Sequence, residues 1–169
     1  MKKIFLTLAV SFFTITSSQA QKFAYVDSDY ILSKMPEFSQ AEDKIDDFSK
    51  EWQSEIELAY EEVEQMYRDY QSEQVLLTSE MKTKREEAIM EKEKSVQSLQ
   101  QKYFGNNGDL YKKRQDLIKP IQDRIFDAVQ QLAASNKYSI IFDASSDLIM
   151  LYSNPDLDKS DKVLELMGY

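Results

Sequence analysis

The stretch IDDFSKEWQSEIELAYEEVEQMYRDY, Ile45 to Tyr70, decides the architecture. Its apolar positions Ile45, Phe48, Trp52, Ile56, Ala59, Val63, Met66 and Tyr70 are separated by 3, 4, 4, 3, 4, 3 and 4 residues. That spacing lies close to the 3.5-residue repeat that keeps one helical seam turned toward a partner helix. The residues between are mostly charged or amide side chains, so the seam is the face that gains most by leaving water. Such a helix needs a second helix.

Downstream, the same pattern returns at Ile89, Val96, Leu99 and Tyr103, then at Ile118, Ile121, Ile125, Ala128 and Leu132. The whole stretch 37–136 therefore predicts helix, folded back on itself as an antiparallel hairpin. Pairs at i,i+4 such as Asp46 with Lys50, Glu80 with Lys84 and Asp109 with Lys113 support the exposed face. Two places could reverse the chain. A turn at GNNG, Gly105 to Gly108, would leave much of the longer seam uncovered. A turn near LLTSEM, 76–81, with Thr78 or Ser79 capping the second helix, gives arms of comparable length and is the expected tip.

GNNG then needs another explanation. A phosphate loop requires G-x-x-x-x-G-K-[ST] after a strand, and a dinucleotide loop G-x-G-x-x-G; GNNG has neither spacing and follows a helix. Gly105 and Gly108 each lower helix propensity by about 1 kcal/mol relative to alanine, and Pro120 removes a backbone bond further on. The expectation is a hinge in the return arm at 105–108, with Pro120 adding to the bend.

The two ends differ from the middle. KFAYVDSDYIL, Lys22 to Leu32, begins with a β-prone run at 23–26 and passes into a short helix before Pro36. KYSIIFDASSDLIMLYSNP, Lys137 to Pro155, holds two β-prone runs, 138–142 and 148–152, around a turn, which predicts a β-hairpin. A short C-terminal helix follows, with Ser160 as N-cap and Gly168 as terminator. The first twenty residues, MKKIFLTLAVSFFTITSSQA, have a basic start, an apolar run and small residues before Ala20, the pattern of a cleaved export signal.

Composition narrows function. Cysteine and histidine are both absent, which removes the commonest nucleophile–base pairs and soft metal sites. DLDKSD at 156–161 begins like a calcium loop, but Asp161 stands where glycine belongs and Met167 where the bidentate glutamate belongs. No cofactor, metal or catalytic residue is expected, and the chain is not read as an enzyme. The formal charge of −9, made more acidic by loss of Lys2 and Lys3 with the signal, disfavours nucleic acid. Nor does the mature chain contain a membrane-spanning run. The short strands and terminal helix bury too little apolar surface to order alone, so copies of the chain should complete one another.

The two ends also carry a resemblance. AYVD at 24–27 and IIFDAS with YSNPDLDKSDKVLELM, spanning 140–167, set on either side of a long charged hairpin, resemble the Skp/OmpH family of periplasmic chaperones. The resemblance implies a mostly helical α+β chain in which strands of three copies build a β-body, while three tentacle-like hairpins enclose a cavity for unfolded outer-membrane proteins. It implies a periplasmic holdase that works without ATP; the alternative is a structural coiled-coil spacer of the envelope without clients. By position, Phe23, Tyr25, Val26, Ile140, Ile141, Phe142, Leu148, Ile149, Met150 and Leu151 would form the oligomeric body. Trp52, Ile56, Tyr60, Val63, Met66, Tyr67 and Tyr70 would offer adaptable aromatic and methionine surface to clients. Better-known members are basic, whereas this chain is acidic with local positive patches at 82–85 and 112–114.

Overall fold

The protein is described by a computed structural model over residues 21–146 and 150–169; the expected export signal and Leu148 and Ile149 lie outside the described residues. The chain begins with strand β1 (Lys22–Val26) and helix α1 (Ser28–Ser33), whose first turn is capped by the Asp27 carboxylate accepting the Tyr30 N–H at 2.9 Å. Pro36 then occupies the first helical position of α2 (Pro36–Glu73), where its missing N–H is not needed. At 1.5 Å per residue this helix projects about 57 Å.

The chain reverses at 74–78. Thr78 is the N-cap of α3 (Ser79–Phe104), its hydroxyl accepting the Met81 N–H at 3.3 Å. α3 stops at Gly105, and α4 (Asp109–Asn136) starts after Gly108 and runs unbroken through Pro120. Of the anticipated i,i+4 pairs, Asp46–Lys50 and Glu80–Lys84 form. Asp109 instead takes Lys112, because Lys113 lies over the Phe48 ring.

Lys137, in the left-handed region, turns the chain into strand β2 (Tyr138–Asp143). β2 pairs in parallel with β1, Phe23 opposite Ile140, Tyr25 opposite Phe142 and Val26 opposite Asp143. Parallel neighbours require a long crossover, and here the entire helical hairpin serves as one. This differs from the expected hairpin with the next β-prone run. Met150, Leu151 and Tyr152 belong to no strand, and the free edge of β1 is instead met by Asp158, with the Lys159 N–H donating to the Tyr25 carbonyl at 2.9 Å.

A single-turn 3-10 helix (Pro155–Leu157) leads to α5 (Ser160–Met167), which Gly168 closes at φ 92°. Ser160 is not the cap that its position suggested. It is buried and links distant segments: its hydroxyl accepts the Asp27 N–H at 2.9 Å and donates to Asp158 at 2.6 Å, while Asp158 also accepts the Ser160 N–H. The hydrophobic core sits at the root of the hairpin. Val26, Ile31, Leu32 and Met35 meet Ile121, Ile125, Ala128 and Leu132 of α4 and Val163 and Leu164 of α5 there.

Candidate functional site

The hairpin arm is a seam with two unlike flanks. Val63, Ile89 and Val96 are buried in the seam, which removes Val63 from the residues a partner could reach in this conformation. Ile56, Met66 and Tyr70 are half-buried along the same line. Tyr60 and Tyr67, seven residues apart, stay 45% and 41% exposed. Each hydroxyl reaches the other helix: Tyr67 donates to Glu93 at 3.0 Å and Tyr60, more weakly, to Gln100 at 3.4 Å. Tyr70 donates to Glu86 in the same way. Hydrogen bonding to carboxylates raises the pKa of Tyr67 and Tyr70 above the ordinary phenol value.

These cross-arm bonds were not foreseen, although a signal existed. Tyr60 and Tyr67 share a seven-residue spacing with Glu93 and Gln100, and once the tip is placed the two rows face each other. A further tie, Arg85 to Glu73 at 3.2 Å, lies close to the tip, and Lys92 bridges to Glu62 farther down.

Trp52 takes a different place. It stacks on Tyr103 with ring centroids 4.7 Å apart and planes 4° from parallel, and on Phe48 at 5.5 Å. Lys113 caps one end of this stack over Phe48, and Lys102 lies over Tyr103. The Tyr103 hydroxyl donates to Glu55 at 2.7 Å, which raises its pKa. The stack crosses from α2 to the last turn of α3, immediately before the GNNG break, so Trp52 serves the joint more than the flank.

At the joint, both glycines have ordinary negative φ values. Their reason is crowding. A Cβ on Gly105 would lie 2.4 Å from the Gln101 carbonyl oxygen, and one on Gly108 would lie 2.7 Å from that of Tyr103. The Gly108 N–H donates to the Gly105 carbonyl at 2.8 Å, closing the connection.

At the other end of the molecule the two-stranded sheet divides its residues by parity. Ala24, Val26 and Ile141 turn toward the helical core, whereas Phe23, Ile140 and Phe142 are exposed on the outer face beside Tyr25. Leu151 is almost fully exposed and Met150 half-buried. At the hairpin tip Val75 and Leu76 are likewise uncovered. Asp143, ending β2, accepts from the Ser28 and Ser145 hydroxyls and backbone N–H groups; burial pushes its pKa up, but these four bonds outweigh burial and hold it below the ordinary carboxylate value. The Tyr169 hydroxyl donates to Glu37, which Arg124 also binds at 2.6 Å, so the C-terminal residue ties the roots of α2 and α4 together. The Tyr169 bond first, with help from Arg124, lowers the Glu37 pKa.

Among the described residues no group of three or more acidic side chains is gathered to hold a metal ion, and no helix is long and apolar enough to cross a membrane. Residues 22–167, nearly all of the described chain, match the family model for outer membrane protein (OmpH-like). The chain belongs to the OmpH-like family. Among curated proteins no match is found. Among solved structures, this OmpH-like chain is similar in fold to a crystal structure from Caulobacter crescentus described as a candidate outer membrane chaperone (OmpH-like). That likeness has a TM-score of 0.70 at 12% identity and covers 86% of this chain and 83% of the other.

Proposed function

We propose that the protein is a periplasmic holdase: three copies join through the outer sheet face, and their hairpins enclose a space in which unfolded outer-membrane β-barrel chains are kept from aggregating without ATP. Export through the N-terminal signal brings it to that compartment. The observation that carries this reading is the flank of Tyr60 and Tyr67, large rings left exposed on a folded arm with their hydroxyls turned to the other helix. Aromatic faces give broad, sequence-tolerant contact, as a binder of many unfolded segments requires. Ile56, Met66 and Tyr70 extend the apolar line beside them, with Val63 as its buried backing and half-buried Trp52 at the joint below.

Family membership and the Caulobacter crescentus likeness support the reading. So does the uncovered face of Phe23, Ile140 and Phe142, which a two-stranded sheet cannot leave in water at no cost. The joint at 105–108 would let the distal arms adjust to clients of different size.

The test mixes the mature protein with a urea-diluted outer-membrane β-barrel protein and measures light scattering and the mass of any soluble complex. Suppressed aggregation with a defined complex is expected, and Tyr60→Ser with Tyr67→Ser should weaken it. The tight pairing of the seam and of the tyrosine hydroxyls across it favours a second reading, a rigid envelope spacer. Unaltered aggregation with no complex would select the spacer.

A further inference from the structure

The chain has four asparagines, Asn106, Asn107, Asn136 and Asn154. An asparagine can convert itself when the backbone nitrogen of the next residue attacks its side-chain carbonyl carbon, and the next side chain governs access to that nitrogen. Asn154 precedes Pro155, whose nitrogen has no proton to lose, and its side chain is occupied by the Asp156 N–H. The Asn136 amide donates to the Leu132 carbonyl at 3.0 Å, and a lysine follows it. Asn106 precedes another asparagine. Asn107 is exposed, makes no hydrogen bond among the described residues, and is followed by glycine.

That glycine is not replaceable. A Cβ at Gly108 would lie within 2.9 Å of three backbone atoms, those of Tyr103, Gly105 and Lys102. The crowding that demands glycine in the joint thus also places a residue without a side chain beside the free Asn107 carboxamide; its nitrogen is buried and bonded to the Gly105 carbonyl while the joint is closed, and becomes reachable when the joint opens.

We propose that Asn107 is a self-modification site at the joint between α3 and α4. The Gly108 nitrogen, its proton lost to solvent, bonds to Asn107 Cγ; the side-chain nitrogen departs as ammonia and a five-membered succinimide remains. Water then adds to one of the two ring carbonyls. Opening on one side gives aspartate with the normal backbone, and opening on the other gives isoaspartate, in which the backbone runs through the side-chain carbons. No oxidant, reductant or metal enters the balance.

The consequence follows from the space available. Both products place a negative charge at the start of α4, a favourable end for it. Isoaspartate also adds a methylene to a connection that has no room for a single Cβ on either glycine, so the Gly108 to Gly105 hydrogen bond is lost and the joint is loosened irreversibly. Because that bond holds the attacking nitrogen at 2.8 Å, the conversion rate reports how often the joint opens.

The folded mature chain is kept for weeks in warm, mildly alkaline buffer and sampled by peptide mass spectrometry over all four asparagines, with isoaspartyl methyltransferase labelling. Conversion at residue 107, with isoaspartate in excess over aspartate and Asn136 and Asn154 intact, is expected. Asn107→Gln, with an unchanged circular dichroism spectrum, should lose both the mass change and the label. The urea-unfolded chain serves as the reference for the same sequence without the joint. A folded chain that stays unmodified at 107 while the unfolded one converts overturns the proposal, as does equal conversion at Asn106 or Asn136.

Discussion

Lys137 is the one non-glycine residue with positive φ among the described residues, at φ 58° and ψ 42°, and it has to be there because α4 must end and turn directly into β2. A left-handed conformation costs an L-residue about 1–2 kcal/mol, and glycine in exchange costs about 0.5–1 kcal/mol in unfolded-state entropy. Lys137→Gly is therefore expected to stabilise the protein by about 0.5 kcal/mol, read as a higher urea midpoint; a lower midpoint would mean that the lysine side chain holds the turn. At this scale the sequence was legible where partners are local. Thr78, one of two residues the pattern offered as a cap, binds the Met81 N–H three residues on, and Gly168 terminates α5 with the expected positive φ. Ser160 misled because its hydroxyl bonds to the backbone of Asp27, 133 positions away in sequence, and no local pattern encodes such a partner. The same holds for Asp143, whose ties to Ser28 join the end of one strand to the start of a helix.

At the level of elements, the seam of the hairpin was readable because a 3.5-residue period states which side of a helix must be covered, without needing the partner's identity. What the period did not state is how the break at GNNG is made. Glycine read as loss of helix propensity suggests that alanine would simply stiffen the return arm. The crowding around Gly105 reverses that sign. Alanine in a helix gains about 1 kcal/mol over glycine, but here its Cβ would meet the Gln101 carbonyl oxygen at 2.4 Å. Overpacking of this kind typically costs about 1–3 kcal/mol, so Gly105→Ala is expected to destabilise, with a change in Trp52 fluorescence as the Trp52–Tyr103 stack shifts; a stabilised variant with unchanged fluorescence would show that the joint relaxes into continuous helix. The cross-arm tyrosines set a second expectation for the hairpin. Tyr67, Tyr70 and Tyr103 titrate higher in the folded chain because their protons are shared with Glu93, Glu86 and Glu55. A group whose folded pKa is raised contributes stability below its unfolded value and loses it as pH climbs through the folded one. Melting temperature should hold up to the ordinary tyrosine range near 10 and fall above it. The triple change to phenylalanine should flatten that fall, and an equally steep decline in the variant would assign it to lysines instead.

The hydrophobic core of the molecule lies at one end. α2 and α4 are anchored at the root by the core around Met35 and Ile125 and by the Tyr169–Glu37–Arg124 tie, while the distal arm is held by its own seam. The sheet at that root is the least finished part: two parallel strands, one face packed on α4 and the other offering Phe23, Ile140 and Phe142 to solvent. The β-prone run at 148–152 looked like a third strand because a short apolar run reports compatibility with a sheet, not which chain supplies the neighbour. Met150 to Tyr152 lie outside any strand in the single chain, and Leu151 is almost wholly uncovered. Two-stranded sheets are marginal in water, so the outer face is the place to test the proposed assembly without touching the core. Ile140→Glu together with Phe142→Glu puts two like charges on that face and leaves Val26, Ile141 and the helical seam intact. In sedimentation velocity the native protein is expected to run as an oligomer at micromolar concentration and the double variant as a monomer with nearly unchanged helix content. Oligomers that survive both glutamates would move the interface off the sheet and onto the arms, and a native protein that sediments as a monomer throughout would remove the enclosed space on which the holdase reading depends.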